Sequence, residues 1–218
     1  MADNFYQISV MLSGKLLDFN IEDHNYNKYR TGTGTLLVND GQNNQIFPIT
    51  AGKELAEQLI ELKGSYIELT GAVRNYRCND EKYNVIRVYS VEAKTEDTKV
   101  NSVQAICEVI GLMAKQSTYA NTNVKAAQVY LLTNEKYDKH TRLNAVIFGT
   151  QGMPLSLDKL PTLGTLYHFV GYLQLDRANQ EAVKLGVDDS ASAVEGKLEL
   201  VITSYKEVNN DSRKGNDN

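Results

Sequence analysis

Short runs in which apolar and polar residues alternate, broken by glycine- and asparagine-rich stretches, dominate the chain from Ile8 to Val208. Period-two alternation predicts strands with one buried face, because successive side chains leave a pleated backbone on opposite sides. In the first half it predicts strands at Ile8–Phe19, Gly32–Val38, Gln45–Ile49, Ser65–Arg74 and Tyr83–Ala93. Asn20 to Thr31 reads as a polar loop. Asn39-Asp40-Gly41 is a hairpin signal, since glycine takes the positive φ that a tight turn demands. One helix interrupts the strands: Leu55, Leu59 and Leu62, with Ala56 and Ile60, fall at helical spacing over Lys53–Leu62, and Gly64 fits its C-cap. In the fourth strand Ile67, Leu69 and Val73 should point inward, and Tyr66, Glu68 and Thr70 outward.

The second half repeats this order, with strands expected at Val103–Lys115, Val124–Leu132, Leu143–Phe148, Thr165–Leu175 and Gly196–Val208. Its helix slot, Gly152–Leu163, holds Pro154 and Pro161, which leaves room for only a short helical turn. Asp176 to Glu195 lengthens the last hairpin into a polar loop. Gly164 and Gly171 stand 100 residues after Gly64 and Gly71, and Arg177 stands 100 after Arg77. The opening strand of each half also contains a glycine, Gly14 and Gly111. Glycines inside strands mark the corners of small barrels. The expectation is an all-β chain with short helices: two tandem five-stranded barrels, at 1–95 and 102–208, then a flexible tail at 209–218. Alternation by itself does not separate one kind of small barrel from another.

Composition narrows the chemistry. The 218 residues are 42% hydrophobic and 23% charged, as in a soluble globular protein, and no apolar run is long enough for a membrane span. Met1-Ala2-Asp3-Asn4 lacks a secretory pattern, so a cytoplasmic protein is expected, with Cys78 and Cys107 reduced. The net charge of -4 argues mildly against nucleic acid. A basic groove can nevertheless coexist with an acidic back. There are 13 Tyr, 5 Phe and no Trp, and many of the tyrosines adjoin Lys, Arg, Asn or Asp. Catalytic constellations are missing. His24, His140 and His168 are far apart and show no zinc-ligand spacing. Thr31-Gly32-Thr33-Gly34-Thr35 lacks the Lys-Ser/Thr of a phosphate loop and precedes a strand. Asp188-Asp189 with Glu195 reads as a solvated loop. No enzyme, cofactor or metal is expected.

The stretch Phe47-Pro48-Ile49-Thr50-Ala51-Gly52-Lys53-Glu54-Leu55-Ala56-Glu57, followed by Lys63-Gly64, Tyr66 to Thr70, and Gly71-Ala72-Val73-Arg74, resembles the bacterial single-stranded DNA-binding protein family. Gly14-Lys15-Leu16 at the end of the opening strand fits as well. The resemblance covers most of residues 5–95 and is architectural over 102–208. It implies that the barrels are OB folds and that the partner is single-stranded DNA, in replication, recombination or repair. It also implies a homodimer presenting four OB folds, because single-barrel members assemble four barrels. Two features depart from the family. Ala51 stands where the family has an aromatic, and the acidic, Phe-ended tail that docks partner proteins is absent. Such divergence fits a phage- or plasmid-encoded member acting in a bacterial cell.

Single-strand binding needs cations for phosphates and flat rings for unstacked bases. In OB folds the loops after strand one and before strand five flank the binding face. The first such segment here holds Tyr26, Lys28, Tyr29 and Arg30. The second holds Arg74, Tyr76, Arg77 and Tyr83, followed by Arg87. Lys53 belongs to the family's Gly-Lys step. In the second half, Lys136, Tyr137 and Arg142 form a comparable cluster, with Tyr119 in the preceding loop and Tyr172 and Arg177 near strand four. That half could instead serve dimerisation or support. The alternative function is a protein–protein adaptor that has lost nucleic-acid binding, motivated by the acidic balance, Ala51 and the lack of Trp. RNA remains open beside DNA, since stacking ignores the sugar.

Overall fold

The computed structural model describes residues 7–22, 31–39, 44–78, 81–119, 122–133, 140–149, 160–175 and 197–208. These form β1 (Ile8–Glu22), β2 (Thr31–Asn39), β3 (Asn44–Gly52), α1 (Lys53–Glu61), β4 (Tyr66–Cys78) and β5 (Glu81–Lys94). They continue with β6 (Asn101–Tyr119), β7 (Thr122–Leu132), β8 (Arg142–Phe148), β9 (Leu166–Leu175) and β10 (Leu198–Glu207). No helix among them is long and apolar enough to cross a membrane.

Each set of five strands closes on itself. In barrel one the order around the ring is β1-β2-β3-β5-β4 and back to β1, with β3 and β5 parallel and every other pair antiparallel. Barrel two repeats the ring as β6-β7-β8-β10-β9, again with its third and fifth strands parallel. Closure gives every strand a neighbour on both sides within its ring, and only the first residues of β1 and β6 keep an edge free for another partner. The irregularities repeat too. β1 bulges between Leu16 and Asp18 against β2, and β6 bulges between Val109 and Gly111 against β7. The last strands skip Tyr89 and Thr203 at matching places. Gly71 and Gly171 are equivalent: a Cβ on either would overlap the carbonyl oxygen of the neighbouring strand, at Arg87 and Val201. Gly14 and Gly111 are not equivalent. Gly14 lies opposite Ile67, where barrel two has Cys107 opposite Tyr167, and Gly111 sits at a bulge.

The inward face of β4 is the one expected, with Ile67, Leu69 and Val73 fully buried. Tyr66 is exposed, and Glu68 and Thr70 are partly exposed. Ala56 and Leu59 of α1 join barrel one's core, with Leu55 and Leu62 packed beside them. Ile60 does not take part: it is 42% exposed, on the solvent side of the helix. The helix ends at Glu61 with Leu62 as C-cap, so Gly64 is not the cap itself. Gly64 has φ of 83° and donates its N–H to the Leu16 carbonyl at 2.8 Å, returning the chain to β1. Gly164, with φ of 74°, donates to the Val109 carbonyl at the same distance. In barrel two the rings of Tyr167 and Phe169 are buried at a tilt to each other, and partly buried Tyr205, edge-on to Tyr167, and Leu160 pack against the core.

The barrels join through their first strands. β1 and β6 pair antiparallel from Ile8↔Ala105 to Leu12↔Asn101, using edges that β2 and β7 occupy only further along. Val10 pairs with Gly71 on its other side, and Val103 with Gly171. An approximate two-fold therefore passes through the Val10–Val103 pair and relates the barrels. The connecting segment straps them together: Ser13 Oγ donates to Asp97 Oδ1 at 2.7 Å and accepts from the Val100 N–H at 2.7 Å.

Candidate nucleic-acid interface

Alternation decides what each barrel shows on its second and third strands. In barrel two, Ala127, Val129, Leu131, Leu143, Ala145 and Ile147 are buried. Of the residues between them, Gln128, Tyr130 and Asn144 are partly exposed and Val146 is buried, and the register sets Tyr130 beside Asn144, Leu132 beside Arg142 and Ala126 beside Phe148. Gly111 makes room for the ring of Tyr130, since a Cβ there would come within 2.8 Å of Tyr130 Cδ2. The Tyr130 hydroxyl lies 3.6 Å from Met113 Sδ. This face thus combines rings, a guanidinium and an amide.

Barrel one's corresponding face is different. Its outward pairs are Thr33↔Thr50, Thr35↔Pro48 and Leu37↔Ile46, with no ring and no cation. Position by position, Thr35 occupies the place of Tyr130, Ile46 that of Arg142 and Gly52 that of Phe148. Arg87 of β5 stands next to Thr50 and is exposed.

Between the barrels lies a cleft of about 520 Å³, lined by Asn75, Tyr83, Asn84, His140, Arg142, Asn144, Lys197 and Leu198. Its described lining holds two cations and a tyrosine and no carboxylate. Asn75 Nδ2 closes one side by donating to the His140 carbonyl at 3.0 Å. At the equivalent place in barrel two, the Leu175 N–H donates to Gln45 Oε1 at 2.7 Å. Glu199, just past the cleft, is buried, with its Oε2 taken by Gln174 Nε2 at 2.7 Å. Arg142 follows Thr141, whose carbonyl accepts from the Thr133 N–H at 3.0 Å.

The expected site residues divide among these surfaces. Tyr83 and Arg142 come together in the cleft. Arg74, Arg87 and Tyr172 lie instead on the outer face of the sheet that runs through both barrels, where Arg74 Nη2 donates to the Tyr89 hydroxyl at 2.8 Å. Tyr76 and Arg77 lie in β4, paired with Tyr83 and Lys82, so the segment expected as a polar loop is a strand ladder out to Cys78↔Glu81. Tyr119 likewise ends β6 opposite Thr122 and is not in a loop. Lys53 opens α1. Tyr26, Lys28, Tyr29, Arg30, Lys136, Tyr137 and Arg177 fall outside the described residues, as do the 209–218 tail and most of the Gly152–Leu163 slot. Sequence reasoning missed Tyr130, Phe148 and Lys197. The first two were legible as the odd members of alternating runs. Lys197 had no local signal.

Among the described residues no group of His, Cys, Asp and Glu could hold a metal. Cys107 is a free, buried thiol whose burial pushes its pKa up to about 12.

No family model matches the sequence, and no curated protein matches it significantly. Solved structures do match. The wild-type single-stranded DNA binding protein from Thermus aquaticus superposes with a TM-score of 0.66 at 12% identity, over 94% of each chain. A deletion mutant of that protein gives 0.65 at 12% identity, over 95% of this chain and 97% of that one. The likeness spans both barrels, and at that identity it is a likeness of fold: this chain is a tandem OB-fold protein, built as the Thermus aquaticus protein is.

Proposed function

We propose that the chain binds single-stranded DNA without sequence preference, as a non-catalytic protein that coats exposed strands in replication, recombination or repair in a bacterial cytoplasm. The observation that carries the reading is the outward face of β7 and β8. Tyr130, Asn144, Arg142 and Phe148 share it, on the two strands whose outer face binds oligonucleotides in OB folds. Rings there stack on bases of any identity, and the guanidinium reaches phosphate. The net charge of -4 is no obstacle, because charge is local and the described lining of the cleft that continues this face carries Arg142 and Lys197 and no carboxylate. The fold shared with a single-stranded DNA binding protein supports the same reading. In this reading the molecule works as a homodimer of four barrels. The face carrying Met11, 43% exposed, and Tyr172, 36% exposed, is the surface best suited to pair with a second copy.

Titration of fluorescently labelled oligo(dT), with double-stranded DNA in parallel, tests the proposal. Tight binding of the single strand alone is expected, weakening as salt rises with a slope of log affinity on log salt of about −0.7 per neutralised phosphate. No binding at low salt overturns it and favours the adaptor reading.

A further inference from the structure

The cleft between the barrels lies on the approximate two-fold. Tyr83 and Asn84 lie near the start of β5, and Lys197 and Leu198 occupy the equivalent positions at the start of β10: Asn84 pairs with Asn75 and Leu198 with Leu175. All four of Tyr83, Asn84, Lys197 and Leu198 line the cleft. Symmetry of fold therefore brings two strand starts to one spot, and difference of sequence places a ring on one and a cation on the other. Asn144 and Arg142 enter from β8, on the face already carrying Tyr130.

We infer that this cleft is a phosphate-binding site through which one nucleic-acid strand passes from barrel two to barrel one, with Lys197 and Arg142 as its cations and Tyr83 as the ring for the adjoining base. The inference rests on the reading of the chain as a single-strand binder. Its chemistry is that of a nucleotide unit. Lys197 offers a point charge and Arg142 a planar fork that matches phosphate oxygens. The amides of Asn75, Asn84 and Asn144 add neutral groups able to donate or accept towards sugar and base. The volume of about 520 Å³ falls in the ~300–1,000 Å³ range of sites that enclose small ligands. Among the described lining residues there is no carboxylate, and Glu199, next in the chain after Leu198, is buried against Gln174.

The cleft also breaks the symmetry it sits on. A strand of DNA has direction, and a true two-fold site would accept it both ways. Tyr83 against Lys197, and Asn84 against Leu198, give the two ends of the cleft different chemistry, so the strand crosses with a fixed polarity.

The test uses the full chain with oligo(dT) long enough to reach both barrels. Lys197 and Arg142 are exposed, so Lys197→Ala and Arg142→Ala should unfold at the wild-type temperature. Each should weaken binding by about tenfold and reduce the salt slope by about 0.7. A strand carrying photoreactive iododeoxyuridine should crosslink to Tyr83. Variants that bind like wild type with an unchanged slope, while the wild type binds well, overturn the cleft site and leave single-strand binding standing. Failure of the wild type to bind removes the underlying reading as well.

Discussion

Val10 and Val103 face each other across the β1–β6 ladder, and each is backed on its other edge by a glycine, Gly71 and Gly171. The pair is the point about which the two barrels are related. Both valines are buried, so the junction is continuous with the two cores rather than a contact between finished surfaces. The first side chain of β6 completes it. Asn101 donates from Nδ2 to the Leu173 carbonyl at 2.8 Å and accepts at Oδ1 from the Leu173 N–H at 2.9 Å.

Asn101 therefore satisfies both backbone groups of Leu173, the role a neighbouring strand would otherwise fill. Asn101→Ala leaves the two groups without a partner in a part-buried setting. A loss of roughly 1–3 kcal/mol is expected for stranding such groups. Urea denaturation of wild type and variant checks this, and an unchanged midpoint would mean that water replaces the amide at no cost.

Gly64 and Gly164 both sit in the left-handed region with open space around their α-carbons. The penalty for a side chain there is conformational and not steric crowding from neighbours. Each glycine-to-alanine substitution should cost about 1–2 kcal/mol. The sites lie in different barrels, so the double variant should show the sum. Thermal melts of the three variants measure it.

This glycine pair was legible in the sequence, as was most of the strand order, because alternation and turn residues are local signals. The 100-residue offset of Gly64 and Gly71 from Gly164 and Gly171 marks true structural equivalents. The glycines of the opening strands are not such a pair: Gly14 precedes the bulge of β1 and Gly111 follows the equivalent bulge of β6, and a glycine inside each strand does not by itself align the two. Arg74–Tyr83 looked like a loop because its polar residues continue a ladder beyond the barrel core. The cleft was invisible for a deeper reason: Tyr83, Arg142 and Lys197 meet only through the two-fold, which depends on β1 pairing with β6. Tyr130 and Phe148 could have been found by asking which members of each alternating run face outward.

Cys107 is fully buried, and burial raises its pKa from 9.0 to about 12. A raised thiol pKa means the folded state keeps a proton that the unfolded chain releases. Its contribution is fully present below pH 9 and is lost as pH rises from there towards 12. Tyr205, also raised by burial, acts in the same direction. Stability measured by denaturant should fall across that window, and less steeply in Cys107→Ala. At pH 8 the native thiol should resist alkylation, since the thiolate is the reactive form. Rapid labelling of Cys107 in the folded protein, located by peptide mass to separate it from Cys78, would contradict the buried placement.

Met11 and Tyr172 flank Ser102 on the sheet shared by both barrels, because β1 pairs with β6 and β6 with β9. An exposed methionine and tyrosine on one broad face suit a self-complementary contact between two copies. Met11→Asp should shift the solution mass from two chains towards one, leaving the circular dichroism of the fold unchanged, since Met11 lies outside the core. A dimer that persists in this variant places the contact elsewhere.

The two barrels should contribute unequally to binding, and the equivalent pair Thr35 and Tyr130 tests it. Both stand on the second strand of their barrel, facing out, next to Pro48 and Asn144 respectively. Only Tyr130 offers a π-face, and one stacked base is worth about 1–3 kcal/mol. Tyr130→Ala should weaken oligo(dT) binding by that amount with little change in salt slope, because no charge is removed. Thr35→Ala should leave affinity nearly unchanged. Phe148→Ala should resemble Tyr130→Ala, since its ring lies on the same face one strand over. Equal losses at Thr35 and Tyr130 would mean that the strand follows the barrels symmetrically. A larger loss at Thr35 would move the principal face to barrel one, against the distribution of rings and cations on these strands.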